Sequence, residues 1–254
     1  MAIVISIASQ KGGVGKSTTA LALGSILGSK NKKVLLIDMD SQANLTYSSG
    51  VDKPDKTITD ILSDESSSSE AIIKCKYYDL LCADKYLSNV EMSSEVEPTL
   101  LKKIVLQPNI SKAYDYIIID TPPSLGNLSY NSLVASNFVI VPVEASVFSM
   151  QGIIQLHDTI LNIKKYHNKT LNILGILLVK YNKRTILSRN IKETLCNYAK
   201  VINTSIFDTT IRQGISVTEA QYQQQPLIDY AIKSKPTLDY INFTNEVLER
   251  IENK

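Results

Sequence analysis

Residues 11 to 18 read KGGVGKST, and this combination of glycines, lysines and hydroxyl groups is suited to holding phosphate. Glycines allow the backbone to curl until successive N–H groups point inward at phosphate oxygens. Lys16 can then place a positive charge on the β- and γ-phosphates, and the Ser17 hydroxyl can ligate Mg²⁺. We therefore predict that the phosphates of a nucleotide contact Gly12, Gly13, Val14, Gly15, Lys16, Ser17 and Thr18.

This segment departs from the common phosphate-loop pattern GxxxxGK[ST] in two places. Gln10 stands where the first glycine is expected, and Lys11 adds a second lysine ahead of the glycines. A chance glycine-rich turn is the alternative explanation. The turn nevertheless follows a predicted strand and precedes a predicted helix, which is the context that the motif requires.

Three carboxylates follow or end apolar runs elsewhere in the chain. VLLID ends in Asp38 and is followed by Asp40, and YIIID ends in Asp120. The carboxyl ends of parallel strands meet at the edge where α/β proteins bind ligands. We expect Asp120 to hold Mg²⁺ directly or through water, and Asp40 to orient or deprotonate the attacking nucleophile. Asp38 is a second candidate metal ligand or only braces the loop, and for any single Asp a helix cap or turn is the alternative.

The elements that must position these residues can be predicted from apolar, β-branched runs. They indicate strands at residues 3–8, 34–37, 116–119, 138–143 and 171–179, and a helix at residues 17–27. Strands that are apolar on both faces are typical of a parallel sheet covered by helices on each side. The sequence therefore predicts an α/β fold of the P-loop NTPase type, with a mostly parallel, doubly wound sheet flanked by helices.

We expect one domain over residues 1–254, with irregular excursions between residues 45 and 112. Residues 238–251 have helical spacing, and the apolar stripe of this segment is predicted to pack on the sheet; it comprises Ile241, Val247, Leu248 and Ile251. Nothing before Ile3 could supply a helix-turn-helix, so we expect no operator-reading domain at the N-terminus.

Composition excludes several classes of protein. Apolar residues make up 44% of the chain and charged residues 20%, which is close to the average for globular proteins. No apolar run reaches the roughly 20 residues that cross a bilayer, and the N-terminus lacks signal-peptide features, so we expect a cytoplasmic protein. Cys75, Cys82 and Cys196 lie far apart, which argues against a zinc site, a cluster or a disulfide framework; we expect reduced, buried thiols.

The net charge of +2 is unevenly distributed along the chain. Residues 160–240 contain 12 Lys or Arg against 5 Asp or Glu, so the remainder is acidic. This asymmetry favours a polyanionic partner for the C-terminal half, and a solvated basic face is the commoner alternative.

Four segments together resemble a known family. KGGVGKST with its extra lysine, LLIDMDSQAN, YDYIIIDTPPSLGNLSYNSLVAS and VPVEASVFSMQGIIQL resemble the ParA/Soj partition ATPases. These belong to the deviant Walker A group, which also includes MinD and the nitrogenase iron protein. The segments VKYNKRT and IRQGISVTEA favour ParA over its relatives.

The resemblance implies a cycle in which ATP and Mg²⁺ drive a homodimer that binds double-stranded DNA without sequence preference. A ParB-like partner would then trigger hydrolysis and release, and the ATP-bound protein would be associated with the nucleoid. Lys11 would reach the nucleotide of the partner subunit, and Gly12 would lie where two backbones approach closely. Asn182 would lie near the adenine; a turn before the next helix is the alternative for Asn182.

The DNA-binding segment departs from the family pattern in one respect. IRQGISVTEA keeps Arg212 but has Ser216 where a second basic residue often stands. We predict phosphate contacts from the remaining basic residues of this half, namely Lys183, Arg184, Arg189, Arg212, Lys233 and Lys235.

Other functions remain as alternatives. A MinD-like membrane-positioning ATPase would need a basic amphipathic C-terminal helix, whereas the tail TNEVLERIENK carries Glu246, Glu249 and Glu252, so no membrane contact is expected. A ParA-like ATPase that positions a protein cargo, a metabolic or electron-transfer ATPase, and a binding module that never hydrolyses ATP are the others. The nitrogenase type needs paired cluster cysteines, which the three thiols do not offer.

Overall fold

The computed structural model describes residues 1–64, 66–93, 96–146 and 149–253, and a seven-stranded sheet forms its centre. The strands are β1 (Ile3–Ile7), β2 (Val34–Asp38), β3 (Ile72–Lys74), β4 (Asp79–Leu81), β5 (Tyr116–Asp120), β6 (Phe138–Glu144) and β7 (Asn172–Val179). Their order is β3-β4-β2-β5-β1-β6-β7. Among the described strands, only β3 pairs antiparallel, and its neighbour is β4. The predicted mostly parallel sheet is confirmed.

Helices cover both faces of this sheet. The described chain contains α1 (Lys16–Ser29), α2 (Asn44–Ser48), α3 (Ile58–Leu62), α4 (Ser68–Ala71), α5 (Leu87–Met92), α6 (Leu100–Val105), α7 (Pro108–Ser111), α8 (Asn127–Ala135), α9 (Ser149–Tyr166), α10 (Ile186–Val201), α11 (Ile215–Tyr222), α12 (Leu227–Tyr230) and α13 (Lys235–Glu252). No helix in the described ranges is both long and apolar enough to span a bilayer.

The core follows from the alternation of side chains along each strand. On one face, Ile5 and Ile7 of β1 pack with buried residues of α1 and α13. On the other face, Val4 packs with α3 and α5 to α8, while α8, α9 and α10 cover β6 and β7. Because both faces are buried, the five predicted strands are nearly continuous apolar runs, and the doubly wound arrangement is confirmed.

Register brings the ends of three central strands to one edge. Asp120 of β5 lies opposite Ile7 of β1 and opposite Asp38 of β2. The glycine turn leaves β1 directly after this row, and α1 begins at Lys16. The residues with predicted phosphate and metal chemistry therefore meet where three parallel strands end.

The segment between residues 45 and 112 was expected to be irregular, and this prediction is wrong in part. It contains β3, β4 and several helices of four to six residues. Both strands have three residues, so no alternation could develop in the sequence. β4 is held by pairing with β2, a long-range contact that local patterns do not report.

The C-terminal segment forms α13, and its main neighbour is α1, with β7 also in contact. Val247 is fully buried, and Ile241, Leu248 and Ile251 pack at the margin of the same cluster. The predicted stripe is therefore confirmed as an inward face, which packs against α1 and against β7 of the sheet. Ser234 caps α13 by accepting the Thr237 N–H.

The three cysteines are free thiols, but only one is buried as expected. Cys82 is fully buried, while Cys75 and Cys196 are half-buried. Burial raises the pKa of Cys82 to about 12 and that of Cys75 to about 11. Both are therefore protonated and unreactive at neutral pH.

Candidate nucleotide-binding site

The glycine turn between β1 and α1 has the backbone of a phosphate cradle. Gly13 and Gly15 have φ angles of 71° and 77°. Residues with a Cβ rarely adopt this left-handed region, so glycine is required by conformation at both positions. Gly15 is also the N-cap of α1. Gly12 has no positive φ, and a Cβ built on it would meet no atom of the described chain within 4 Å.

The first turn of α1 is open to an anion. No side chain caps this helix among the described residues, and its first turn contains no acidic residue. The N–H groups at a helix start are unpaired within the helix and lie at the positive end of its dipole. A phosphate at this position would satisfy these donors.

Lys16 stands at the start of α1 and is 7% exposed. Burial lowers the pKa of its ammonium group, although the negative charges of Asp120 and Asp40 partly offset that effect. Burial therefore disfavours the charged form of Lys16, because water solvates the ammonium group poorly there. A bound polyanion would supply the missing stabilisation.

Asp120 is fully buried, and neither of its carboxylate oxygens accepts a hydrogen bond within the described residues. Burial raises the pKa of this carboxyl well above its ordinary value, and the negative charge of Asp38 raises it further. The nearby Ser17 hydroxyl and the Lys16 ammonium only partly counter this shift. An unsatisfied carboxylate beside a hydroxyl fits a hard cation such as Mg²⁺, which takes oxygen ligands.

Asp38 has a different environment. Its Oδ1 accepts the Asp40 N–H at 3.1 Å, and its Oδ2 accepts the N–H and hydroxyl of Thr46 at 2.9 and 2.8 Å. Burial outweighs these hydrogen bonds and raises the pKa of Asp38 to about 6. Of the two roles expected for Asp38, these contacts favour bracing the β2–α2 loop over ligating a metal.

Asp40 lies in that braced loop and is 7% exposed. Its Oδ1 accepts the Gln42 N–H at 3.0 Å, which fixes the direction of the carboxylate. Asp40 is close enough to Lys16 to raise the pKa of the ammonium group. The structure thus places Asp40 beside the phosphate loop, as a group acting on an attacking water would need to be.

Lys11 contacts its own chain. Its Nζ lies 3.2 Å from Glu144 Oε2 and 3.4 Å from Ser146 Oγ. Both members of the ion pair are well exposed, with side-chain exposures of 44% and 36%. Exposed pairs of this kind contribute about 0–1 kcal/mol, so Lys11 can leave Glu144 at little cost.

Two contacts of the phosphate loop were missed by sequence reasoning. Lys180, the residue after β7, donates from Nζ to the Gly13 carbonyl at 2.9 Å. Gln221 of α11 donates from Nε2 to Thr18 Oγ1 at 2.9 Å. The available signal for Lys180 was its position directly after an apolar strand at the ligand-binding edge; Gln221 gave none.

Asn182 forms a turn before α10. Its Oδ1 accepts the Arg184 N–H at 3.1 Å, and its carbonyl accepts the Thr185 N–H. This is the turn that was considered as the alternative for Asn182. The amide nitrogen is not used in the turn, and contact with adenine stays a prediction.

The six basic residues predicted to contact DNA are all exposed; they are Lys183, Arg184, Arg189, Arg212, Lys233 and Lys235. Lys183 and Arg184 precede α10, Arg189 lies in its first turns, and Lys235 begins α13. Arg212 differs, because its Nε and Nη2 bind both carboxylate oxygens of Asp239 at 2.8 and 2.6 Å. The structure therefore gives Arg212 a structural contact that competes with binding phosphate.

A family model described as an AAA domain matches residues 2–173. The chain is 35% identical to the sporulation initiation inhibitor protein Soj of Bacillus subtilis, over 97% of this chain and 98% of Soj. The chain belongs to the ParA/Soj family of ATPases. A second ParA/Soj relative, the chromosome partitioning protein ParA of Caulobacter vibrioides, is 32% identical over 97% of this chain and 94% of ParA.

Solved structures agree with the ParA/Soj fold. Cobyrinic acid a,c-diamide synthase from Mycobacterium smegmatis, solved with an ATP analogue and magnesium, superposes with a TM-score of 0.83. It is 29% identical, and the match covers 99% of this chain and 96% of the synthase.

Proposed function

We propose that this ParA/Soj protein is an ATP-dependent dimerisation switch that acts in plasmid or chromosome partition. ATP with Mg²⁺ drives a homodimer, the dimer binds double-stranded DNA without sequence preference, and a ParB-like partner stimulates slow hydrolysis to ADP and phosphate. One domain spanning residues 1–254 performs these steps. The protein acts in the cytoplasm and is associated with the nucleoid while ATP is bound.

The observation that carries this proposal is the unsatisfied charge at the phosphate loop. Lys16 is buried beside an open helix start, and Asp120 is buried without a hydrogen bond in the described chain. The oxygens of a triphosphate would pair with Lys16, and the Mg²⁺ that accompanies the triphosphate would pair with Asp120. Binding of ATP with Mg²⁺ would therefore pair both groups, whereas ATP or Mg²⁺ alone would pair only one of them.

Each residue then has a defined task. Lys16 and the loop N–H groups bind the β- and γ-phosphates, and Ser17 and Asp120 hold the cation. Mg²⁺, when bound, shields the negative charge that develops on the transferred phosphoryl group. Asp40 orients the attacking water or accepts its proton, since its carboxylate is fixed beside Lys16.

Lys11 completes the site of a second subunit. A cation supplied in trans neutralises charge on the transferred phosphoryl group, as an arginine finger does, and makes hydrolysis depend on dimerisation. The exposed ion pair with Glu144 keeps Lys11 at the loop surface until then. The open space at Gly12 supports close approach of a second backbone.

DNA binding is proposed for a basic corner near the phosphate loop, formed by the loop before α10 and the start of α13 with Lys183, Arg184, Arg212 and Lys235. Tyr181 donates its N–H to the Ile211 carbonyl, and the Arg212 side chain contacts the Lys235 carbonyl. These contacts join the loop before α10 to the start of α13, so basic residues distant in sequence lie on one connected surface. Such a surface binds phosphates without reading bases.

The membrane-positioning alternative receives no support from α13. An amphipathic anchor must present its apolar face to lipid. In this protein that face packs on α1, with Val247 fully buried.

Sizing the protein with ATP, ADP or no nucleotide, with and without duplex DNA, tests the proposal. We expect a dimer with ATP and Mg²⁺ only, and DNA binding by that dimer to two unrelated sequences with equal affinity. Phosphate release should be abolished in Asp40→Ala, which should stay dimeric with ATP. Asp52→Ala, which removes an exposed carboxylate elsewhere, is the matched control.

A monomer at saturating ATP and magnesium would reject the switch. Equal phosphate release from wild type and Asp40→Ala, with DNA and the cognate partner present, would reject the catalytic role of Asp40. A strong sequence preference would reject non-specific binding.

A further inference from the structure

Lys180 joins the end of β7 to the phosphate loop. Its Nζ donates to the Gly13 carbonyl at 2.9 Å, although the two residues are 167 positions apart in the chain. Gly13 has a φ of 71°, so the carbonyl that Lys180 holds belongs to one of the two left-handed residues of the loop.

The backbone of Lys180 is itself held in an unfavourable conformation. Its φ is 50°, in the left-handed region that a side chain with a Cβ disfavours. Ile211 holds the chain around Lys180, because its N–H donates to the Leu178 carbonyl at 2.8 Å and its carbonyl accepts the Tyr181 N–H at 2.9 Å. Strain of this kind persists where surrounding contacts determine the backbone, and it is common at functional sites.

The consequence for the loop follows from peptide geometry. The Gly13 carbonyl and the Val14 N–H belong to one planar trans peptide, so they point in opposite directions. Fixing the carbonyl on Lys180 therefore fixes the direction of the Val14 N–H. Within the described residues no group accepts a hydrogen bond from the Val14 N–H, and the Val14 residue as a whole is buried.

Glycine makes this tether necessary. A peptide beside Gly13 can rotate at low cost, because glycine has no Cβ to restrict φ and ψ. Without Lys180 the loop could turn a carbonyl oxygen toward the phosphates, where it would repel them.

We propose that Lys180 is a positioning residue of the phosphate loop, which holds the Gly13 carbonyl and thereby keeps the Val14 N–H directed at bound phosphate. The proposal rests on the ATP binding proposed above. Lys180 follows β7 and lies outside the phosphate-loop motif, so the motif alone does not predict this role.

Three variants test it: Lys180→Met removes the donor, Lys180→Arg keeps one, and Lys200→Met removes an exposed lysine at the far end of α10. The first readout is amide hydrogen exchange of residues 9–17 in nucleotide-free protein. We expect faster exchange there in Lys180→Met alone, with exchange in the rest of the sheet unchanged.

The second readout is the affinity for a fluorescent ATP analogue with magnesium, measured at two salt concentrations. Lys180→Met should bind about tenfold more weakly at both, the effect of losing one hydrogen bond to a charged group. Lys180→Arg should restore most of the affinity, and Lys200→Met should match wild type.

Unchanged loop exchange in Lys180→Met would overturn the proposal even if affinity fell, because the lysine would then act only through its charge. Wild-type affinity in Lys180→Met would overturn it as well. If wild type bound no ATP at all, the proposed function would fail, whereas the exchange measurement would still decide whether Lys180 orders the loop.

Discussion

Substitution of Gly12 should separate what the phosphate loop needs in order to fold from what it needs in order to meet a partner. Gly13 and Gly15 have positive φ angles, but Gly12 does not. A Cβ at Gly12 would meet no atom of the described chain within 4 Å, so nothing in this chain obstructs a side chain there.

The magnitudes follow from these conformations. Gly12→Ala should stabilise the monomer by about 0.4–1 kcal/mol, because alanine restricts the unfolded chain more than glycine does. Gly13→Ala should destabilise it by about 1–2 kcal/mol, the cost of a Cβ in the left-handed region. For a chain of this size each kcal/mol shifts the melting temperature by about 2–4 °C, so the two variants should melt several degrees apart.

The two glycines should also differ in function: substitution of Gly12 should impair dimerisation, and substitution of Gly13 should impair nucleotide binding. Gly12→Ala and the bulkier Gly12→Val should bind ATP as wild type does, yet remain monomeric by light scattering, because the added side chain would meet the second subunit. Gly13→Ala should lose nucleotide affinity directly. An ATP-dependent dimer of Gly12→Val with wild-type affinity would refute the close approach of two backbones at this position.

Three further predictions follow from the site. Lys11→Ala should bind nucleotide normally but show no partner-stimulated phosphate release; retained turnover would exclude a lysine acting in trans. The pKa of Asp38 is about 6 in the folded protein and 3.8 ordinarily, so its contribution to the free energy of unfolding is full below about pH 4 and is lost as pH rises through 6, by about 3 kcal/mol in all. Urea unfolding of Asp38→Asn should show a shallower decline than wild type, because Asp120, whose pKa is also raised, still contributes. Arg189→Ala should flatten the salt dependence of DNA binding without changing stability, whereas Arg212→Ala should lower the melting temperature; the reverse result would contradict the contacts seen here.

The parts of the site that the sequence predicted depend on local pattern and on sheet geometry. KGGVGKST follows an apolar run, and parallel strands bring their carboxyl ends to one edge, so Asp38 and Asp120 had to lie near the glycines. No contact between distant side chains was needed for this step.

The parts that could not be predicted depend on such contacts. The sequence gives no sign that Lys180 reaches Gly13, that Glu144 holds Lys11, or that Asp239 engages Arg212. Each pair becomes adjacent only when separate elements pack, and an exposed lysine or arginine has the same local pattern whether it is paired or solvated. Arg212 is therefore predicted as a phosphate contact from the family-like segment and the surrounding basic residues, neither of which reports its pairing with Asp239.

The site places Asp120 and Lys16 in an environment that is unfavourable for their charged forms and that a ligand can make favourable. Burial raises the pKa of Asp120 and lowers that of Lys16, which means that the charged form of each group is costly in the folded protein. A ligand at 100 times its Kd stabilises the folded state by about 2.7 kcal/mol, so nucleotide binding can reverse that cost. The Thr18 hydroxyl of α1 accepts a hydrogen bond from Gln221 of α11, and the Thr19 hydroxyl is hydrogen-bonded to the Tyr240 hydroxyl of α13. These hydrogen bonds connect the first turn of α1 to α11 and α13. We expect ATP occupancy to affect the proposed DNA surface through them.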